Sequence, residues 1–302
     1  MSFANDVREE ISRGINDRDR QYACLYGILL YCHTLSDSQI IIQTESPVLA
    51  KLLPDLFHIV LHIEVPVESH ATAHGINSVF TITDPDQLQR IFSMYHIHPE
   101  QREIRLSNIG NNSLSSFVAG IFLCCGSVTD PDKGYHLEFQ TPSDLLCTDL
   151  QKLLHSIQVY GHKIMRHNIY VLYIKDSEQI EDTLTYMGAQ QCTISLMNVK
   201  IRKDMRNKAN RLRNCDEANI NKVVNTAMRQ VEEIQYLIDH GEWDKLSPEL
   251  KEVAQIRLDN PELSMQEIGE MLSPPISRSG VNHRFHKISD QVRELKENGS
   301  NA

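Results

Sequence analysis

The sequence predicts an α+β chain in two parts: a duplicated domain of mixed helix and strand, linked to an all-α C-terminal domain. Three observations carry that expectation. Two stretches of the first 190 residues repeat one order of apolar strands and amphipathic helices. A 3.6-residue apolar period then runs from about Asp216 to His240, far too long for a strand. Three shorter helical patterns follow, punctuated by Asn260-Pro261 and Pro274-Pro275.

The duplication is read by laying two segments side by side. Ser38 to Thr44 (SQIIIQT) precedes an apolar-periodic helix through Val48, Leu49, Leu52, Leu53 and Leu56. Tyr135 to Thr141 (YHLEFQT) precedes one through Leu145, Leu146, Leu150, Leu153, Leu154 and Ile157. Both strands end in Gln-Thr. Further on, Ile76 to Thr83 (INSVFTIT) leads to a helix beginning DPDQLQRIF, and Asn168 to Lys175 (NIYVLYIK) to one beginning DSEQIEDTL. Asp84 and Asp176 stand as N-caps, since a short carboxylate there accepts amide hydrogens of the first turn. Each copy opens with an apolar helix containing small residues, Gln21 to His33 and Ser116 to Gly126. The repeated unit therefore reads helix, strand, helix, strand, helix, with copies at about 1–110 and 111–199 of a domain spanning 1–199.

Composition and charge exclude several classes. With 41% hydrophobic and 23% charged residues the chain has the make-up of a globular protein. The longest apolar runs, Cys24 to Cys32 and Phe117 to Cys125, fall short of the roughly 20 residues that span a bilayer, and the N-terminus lacks a secretory pattern. No membrane partner and a cytoplasmic location follow as expectations. Seven cysteines without a CxxC pair fit reduced thiols better than a disulfide framework or zinc ribbon. No Gly-rich phosphate loop is present, so neither cofactor nor metal is expected.

The formal charge of −10 argues against nucleic acid when taken whole, but it is unevenly spread. Residues 1–199 hold 13 Lys and Arg against 23 Asp and Glu, whereas residues 200–302 hold 17 of each. Within 200–213, Lys200, Arg202, Lys203, Arg206, Lys208, Arg211 and Arg213 face Asp204 alone, a local +6. We take 200–215 as a basic linker. Its lysines and arginines suit phosphate contacts, while a solvated hinge, with Asn207, Asn210 and Asn214 as caps, explains them equally.

The C-terminal region 216–297 begins with the long amphipathic helix, whose apolar positions include Ile220, Val223, Val224, Ala227, Val231, Ile234, Leu237 and Ile238; Gly241 is its stop. Ser247-Pro248 opens the next helix, with Leu250, Val253, Ala254 and Leu258 on one face. Ser264 and Glu267 form a capping box ahead of Ile268, Met271 and Leu272. The last helix begins at Ser277, and residues 298–302 are expected to be a disordered tail. Val281, Phe285, Ile288, Val292 and Leu295 make one stripe of it at 100° per residue. Ser279, Asn282, His283, His286 and Lys287 point roughly the opposite way, with Arg278 and Arg284 on the flanks. No acid occurs between Ser277 and Asp290, so the exposed first turns carry hydrogen-bonding and basic groups only. That is what a helix-turn-helix recognition helix requires in a major groove. A protein-binding three-helix module has the same outline.

The opening helices carry a resemblance. Leu25-Tyr26-Gly27 through His33 and Val118-Ala119-Gly120 through Gly126 look like the paired signature helices of the LAGLIDADG homing-endonuclease fold. In the active nucleases an acid near the end of each helix binds the divalent metal. Here those positions hold Cys32 and Cys125, and a neutral thiol is a poor ligand for a hard cation. Asp130 and Asp132 lie beyond the second helix, but the first copy offers only Asp37, so a shared two-acid metal site is not expected.

Together with Arg206 to Asn219 (RNKANRLRNCDEAN), Ser264 to Leu272 (SMQEIGEML) and Ser273 to Ile288 (SPPISRSGVNHRFHKI), the degenerate helix pair resembles the WhiA family of transcription regulators across nearly the whole chain. The resemblance implies a LAGLIDADG-like domain without nuclease activity, a helix-turn-helix that binds promoter DNA, and roles in sporulation or cell division. Candidate DNA-binding residues are then Ser277, Arg278, Ser279, Asn282, His283, Arg284, His286 and Lys287 of the last helix and Lys203, Arg206, Lys208, Arg211 and Arg213 of the strip. Double-stranded DNA is the expected partner, in the nucleoid, with a protein of the transcription or division machinery as a second. A metal-dependent endonuclease using Asp130 or Asp132, and a protein-interaction scaffold, are the competing readings.

Overall fold

In the computed structural model, residues 2–72, 75–110 and 113–299 are described. They divide into two compact units, one up to Lys203 and one from Asp204. The fold is α+β, a duplicated part of helices and antiparallel sheets followed by a helical part.

The first unit opens with α1 (Phe3–Gly14), a helix the sequence reading did not anticipate, which buries Val7 and Ile11. Each repeat then builds one four-stranded antiparallel sheet. The first contains α2 (Arg18–Tyr31), β1 (Thr34–Ser36), β2 (Gln39–Thr44), α3 (Pro47–Leu56), β3 (Val67–Thr72), β4 (Gly75–Ile82) and α4 (Pro85–Tyr95). The second contains α5 (Leu114–Cys125), β5 (Gly126–Val128), β6 (Leu137–Thr141), α6 (Asp144–Ser156), β7 (His162–Arg166), β8 (Ile169–Ile174) and α7 (Ser177–Tyr186). Strand orders are β1-β2-β4-β3 and β5-β6-β8-β7, the same topology twice. The expected unit is thus corrected by two added strands per copy. β1 and β5 are only three residues long, and every residue of β3 and β7 is exposed, so none of the four carries apolar alternation.

The predicted caps form. Asp84 accepts from the Gln87 amide at 2.9 Å, and Asp176 from the amides of Glu178 and Gln179 at 3.0 Å. Between the repeats, α2 and α5 pack backbone against backbone. A Cβ on Gly27 would overlap the Phe117 carbonyl oxygen, and one on Gly120 the Cys24 carbonyl oxygen. Glycine at both positions therefore sets the helix separation. Around this pair a single core gathers Leu25, Ile28, Leu29, Phe117, Val118 and Ile121 with the inner faces of both sheets.

The 200–215 segment is not an irregular linker. It lies inside α8 (Gln190–Asp239), a continuous helix that begins well before Asp216. The Glu10 carboxylate accepts from the amides of Gln191 and Cys192 at 2.7 and 2.9 Å, satisfying two donors of its first turn. From Asp204 to Asn225 every residue is exposed. Of the expected apolar stripe, Ala227, Ile234 and Leu237 are buried, but Ile220, Val223, Val224 and Ile238 are exposed. Helix α8 ends as foreseen, with Gly241 at φ 72°.

The second unit packs the end of α8 against α9 (Pro248–Asp259), α10 (Met265–Met271) and α11 (Arg278–Gly299). Its core holds Ile234, Leu237, Leu250, Val253, Ala254, Ile268, Leu272, Val281, Phe285, Ile288 and Val292. The Ser264–Glu267 capping box closes in both directions. Ser247 occupies the N-cap of α9 without a side-chain bond, and Met271 is exposed because α10 ends there. Helix α11 extends to Gly299, two residues into the expected tail; residues 300–302 lie outside the described residues.

Candidate nucleic-acid interface

The interface is assembled on α11. Its N-terminus is held by Ser277, whose Oγ accepts from the Gly280 amide at 3.3 Å and lies 2.9 Å from the Ser279 Oγ. With Val281, Phe285, Ile288 and Val292 buried, the other side of the helix is fixed toward solvent. Ser277, Arg278, Ser279, Asn282, His283, His286 and Lys287 are all exposed there. They present donors and acceptors over the first three turns with no carboxylate among them.

Arg284 departs from its sequence-based placement. It turns back onto α9, where Nη1 donates to the Glu249 carbonyl at 3.4 Å and Nη2 lies 3.9 Å from the Glu249 carboxylate. Its side chain is only 18% exposed, so Arg284 anchors α11 instead of standing on the open face.

The helix-turn-helix is positioned by two features with little sequence signal. Gly269 lies where a Cβ would overlap the Ile276 carbonyl oxygen, so the turn backbone passes directly over α10, and the Ile276 amide donates to the Gly269 carbonyl at 3.0 Å. Arg257 of α9 is 2% exposed. Its Nη1 donates to the carbonyls of Leu263 and Pro261 at 2.6 and 3.2 Å, its Nε to Gln230 Oε1 at 3.1 Å, and its guanidinium lies 5.6 Å from the Phe285 ring centre. Desolvation lowers its pKa, with the Glu262 carboxylate opposing. One cation thereby ties α8, the α9–α10 turn and α11 together. Sequence reasoning also passed over Gln266, which with Ser264 and Arg278 lines a hollow of about 190 Å³ where α10 and α11 begin.

The basic strip separates into two groups. Lys200 pairs with Glu181 and Glu178 at 3.4 and 3.5 Å; burial opposes its charge, but the two carboxylates outweigh it and raise its pKa. Lys203 donates to the Pro131 carbonyl at 2.6 Å and lies over the Tyr135 ring. Both are engaged within the first unit. Arg206, Lys208, Arg211 and Arg213 are exposed, Arg213 bonding Asn210 Oδ1 at 3.2 Å.

At the ends of α2 and α5, where the resemblance places a metal site, a cavity of about 340 Å³ is lined by Cys32, Cys124, Cys125, Gln43, Gln140 and their neighbours, with no carboxylate in its wall. The Cys32 Sγ donates to the Leu29 carbonyl at 3.1 Å, and the Cys125 Sγ to that of Ile121 at 3.3 Å. Burial pushes the Cys32 thiol up to about 12, and raises that of Cys125 further. Both are held as neutral thiols, which suits helix-end packing and not a hard cation. Asp130 does not line this cavity; its Oδ1 accepts from the Asp132 amide at 2.9 Å within the β5–β6 turn. Among the described residues no group of three or more His, Cys, Asp or Glu is placed to hold a metal ion. Among them, too, no helix is long and apolar enough to cross a membrane.

Comparison with known proteins matches residues 209–292 to the family model described as WhiA C-terminal HTH domain, and residues 114–206 to WhiA LAGLIDADG-like domain. A "Probable cell division protein WhiA" of Thermoanaerobacter pseudethanolicus is 35% identical over 98% of this chain and 99% of its own length. One from Clostridium perfringens is 37% identical over 98% and 99%. Among solved structures, full-length DUF199/WhiA from Thermatoga maritima aligns with a TM-score of 0.58 at 22% identity, covering 97% of this chain and 99% of that one, a likeness of fold.

Proposed function

This chain belongs to the WhiA family, and from that premise we propose that it is a sequence-specific, promoter-binding transcription regulator that reads duplex DNA through α11 and has no nuclease activity. The carrying observation is the acid-free exposed face of α11, from Ser277 to Lys287, backed by a fully buried apolar stripe. In this reading Arg278 and Lys287 meet phosphates, Asn282, His283 and His286 meet base edges, and Ser277 and Ser279 hold the helix N-terminus against the backbone. Arg206, Lys208, Arg211 and Arg213 add phosphate contacts from α8. Arg284 sets the angle of α11 through Glu249. The names of the curated relatives favour genes of cell division as the regulated set, with sporulation as the other process the family resemblance implies. The protein acts at the nucleoid.

The donor set at the ends of α2 and α5 disfavours nuclease chemistry. Three thiols (Cys32, Cys124 and Cys125), three amides (Gln43, Gln140 and Asn168), His33, Tyr31 and Thr141 line the cavity at the helix ends, and none supplies the charged oxygen that an octahedral magnesium ion demands. A genome-wide map of DNA bound by the intact chain tests the proposal, compared with an Arg278→Ala, His283→Ala, Lys287→Ala variant. Discrete promoter peaks lost in the variant are expected. Uniform occupancy, or peaks unchanged in the variant, overturns the assignment of α11. Metal-dependent cleavage of plasmid by the purified chain overturns the non-enzymatic reading.

A further inference from the structure

The two sheets share a topology but not a surface. On the outer face of the second, Glu138 of β6 stands opposite Tyr173 of β8, which in turn stands opposite His162 of β7. The Arg166 guanidinium lies 5.6 Å from the Tyr173 ring centre and the Lys175 ammonium 5.3 Å; the rings of His136 and His162 lie 5.7 and 5.6 Å away. Glu138 is the one carboxylate of the group. Its Oε2 is 2.9 Å from His136 Nε2 and 3.4 Å from Arg166 Nη1, and its Oε1 accepts from Gln140 Nε2 at 3.2 Å. Gln140 also lines the cavity at the helix ends, so cluster and cavity are continuous.

The first repeat supplies the internal control. Aligning Gln43 on Gln140 through their partners Val79 and Val171 brings Ile41 to Glu138, Thr81 to Tyr173, Thr83 to Lys175, Gln39 to His136 and His70 to Arg166. Topology alone therefore does not call for the cluster. It concentrates Arg166 and Lys175, with two histidines, on a domain whose first 199 residues otherwise carry a large acidic excess.

We propose that this Tyr173-centred face is the docking site for an acidic, extended segment of a protein partner, whose carboxylates pair with Arg166 and Lys175. Charge complementarity selects the partner. A duplex many Debye lengths long would meet the acidic remainder of the domain, whereas a segment of a few residues lies within about 8 Å of the cluster and feels mainly its cations. Tyr173 adds a flat apolar body beside the charges, the combination that marks recognition surfaces. Glu138 holds Arg166 in place and disfavours basic ligands.

The test is fluorescence anisotropy of the full chain with a short fluorescein-labelled peptide of alternating glutamate and leucine, beside a labelled single-stranded oligonucleotide. Salt-sensitive peptide binding is expected, weakened about tenfold or more by Arg166→Glu with Lys175→Glu and unaltered by His70→Glu with Thr83→Glu in the first repeat. If the charge-reversed pair unfolds, Arg166→Gln with Lys175→Gln decides, with a loss still expected. No peptide binding, equal loss from both pairs, or oligonucleotide binding that depends on Arg166 and Lys175 overturns the proposal. Duplex binding through α11 is untouched by these variants, so failure here leaves that reading standing.

Discussion

The Arg257 guanidinium donates to the Leu263 carbonyl at 2.6 Å, across the turn that joins α9 and α10. Removing it strands two carbonyls and the Gln230 amide oxygen in a buried site, each at a cost of about 1 kcal/mol or more. Arg257→Leu is expected to destabilise this unit by about 3 kcal/mol. Trp243, the chain's one tryptophan, packs on the same core, so its fluorescence in a urea titration follows this unit.

Gly27 and Gly120 govern the other unit. Alanine at either position drives a methyl group into a carbonyl oxygen of the facing helix, and neither helix can retreat without opening the core. A loss of about 3 kcal/mol is expected for each. Gly134→Ala, with open space around the added carbon, is the control and should be near neutral. Near-ultraviolet dichroism of the buried Tyr26, Tyr31 and Tyr95 reads the change.

The phosphate and base contacts proposed for α11 separate by salt dependence. Lys287→Ala should weaken binding to all duplexes and reduce the salt slope by about one unit, whereas Asn282→Ala should cost about 1–3 kcal/mol on the cognate site alone and leave the slope unchanged. Arg284→Ala behaves differently again. Because that side chain fastens α11 to Glu249, its loss of affinity should come with a lower Tm, measured on the free protein.

Glu138 provides a pH signature. Desolvation pushes its pKa up, but hydrogen bonds from His136 and Gln140 and the charge of Arg166 outweigh it and hold the carboxyl below its ordinary value. A depressed native pKa stabilises the fold above the unfolded glutamate pKa of about 4.3, and that contribution is lost as pH falls through the native value. Glu138→Gln should therefore melt below the parent at neutral pH, and the two curves should converge in acid. A gap of constant size from neutral to strongly acidic pH would contradict the ion pairing.

What was legible in the sequence was what the local chain decides. Asp84 and Asp176 cap helices because a short carboxylate reaches its own next turn, and Val281, Phe285, Ile288 and Val292 share a face by spacing alone. Strands β3 and β7 were missed because every residue is exposed and pairing with a neighbour, not burial, makes them strands. Arg257 reads as a solvent position until two carbonyls of the following turn and the Gln230 side chain of α8 close around it. Arg284 sat on the flank of the helical wheel, and only the position of α9 decides which way a flank residue turns. The segment 200–215 lacks the apolar stripe by which helices are recognised, so its basic and amide residues suggested a linker.

The bare middle of α8 has a practical corollary. A helix exposed on every side from Asp204 to Asn225 is held by its own amide ladder, so its opening is set by local helix–coil balance and its amides should exchange with deuterium well before those of α9 and α11. Cys215 sits within it, exposed, while burial raises the thiol pKa of the six other cysteines. A nitroxide reagent at neutral pH will therefore label the native sequence at that position first. Its spectrum then tracks the coiling and uncoiling of this stretch as duplex is added, without a single engineered residue.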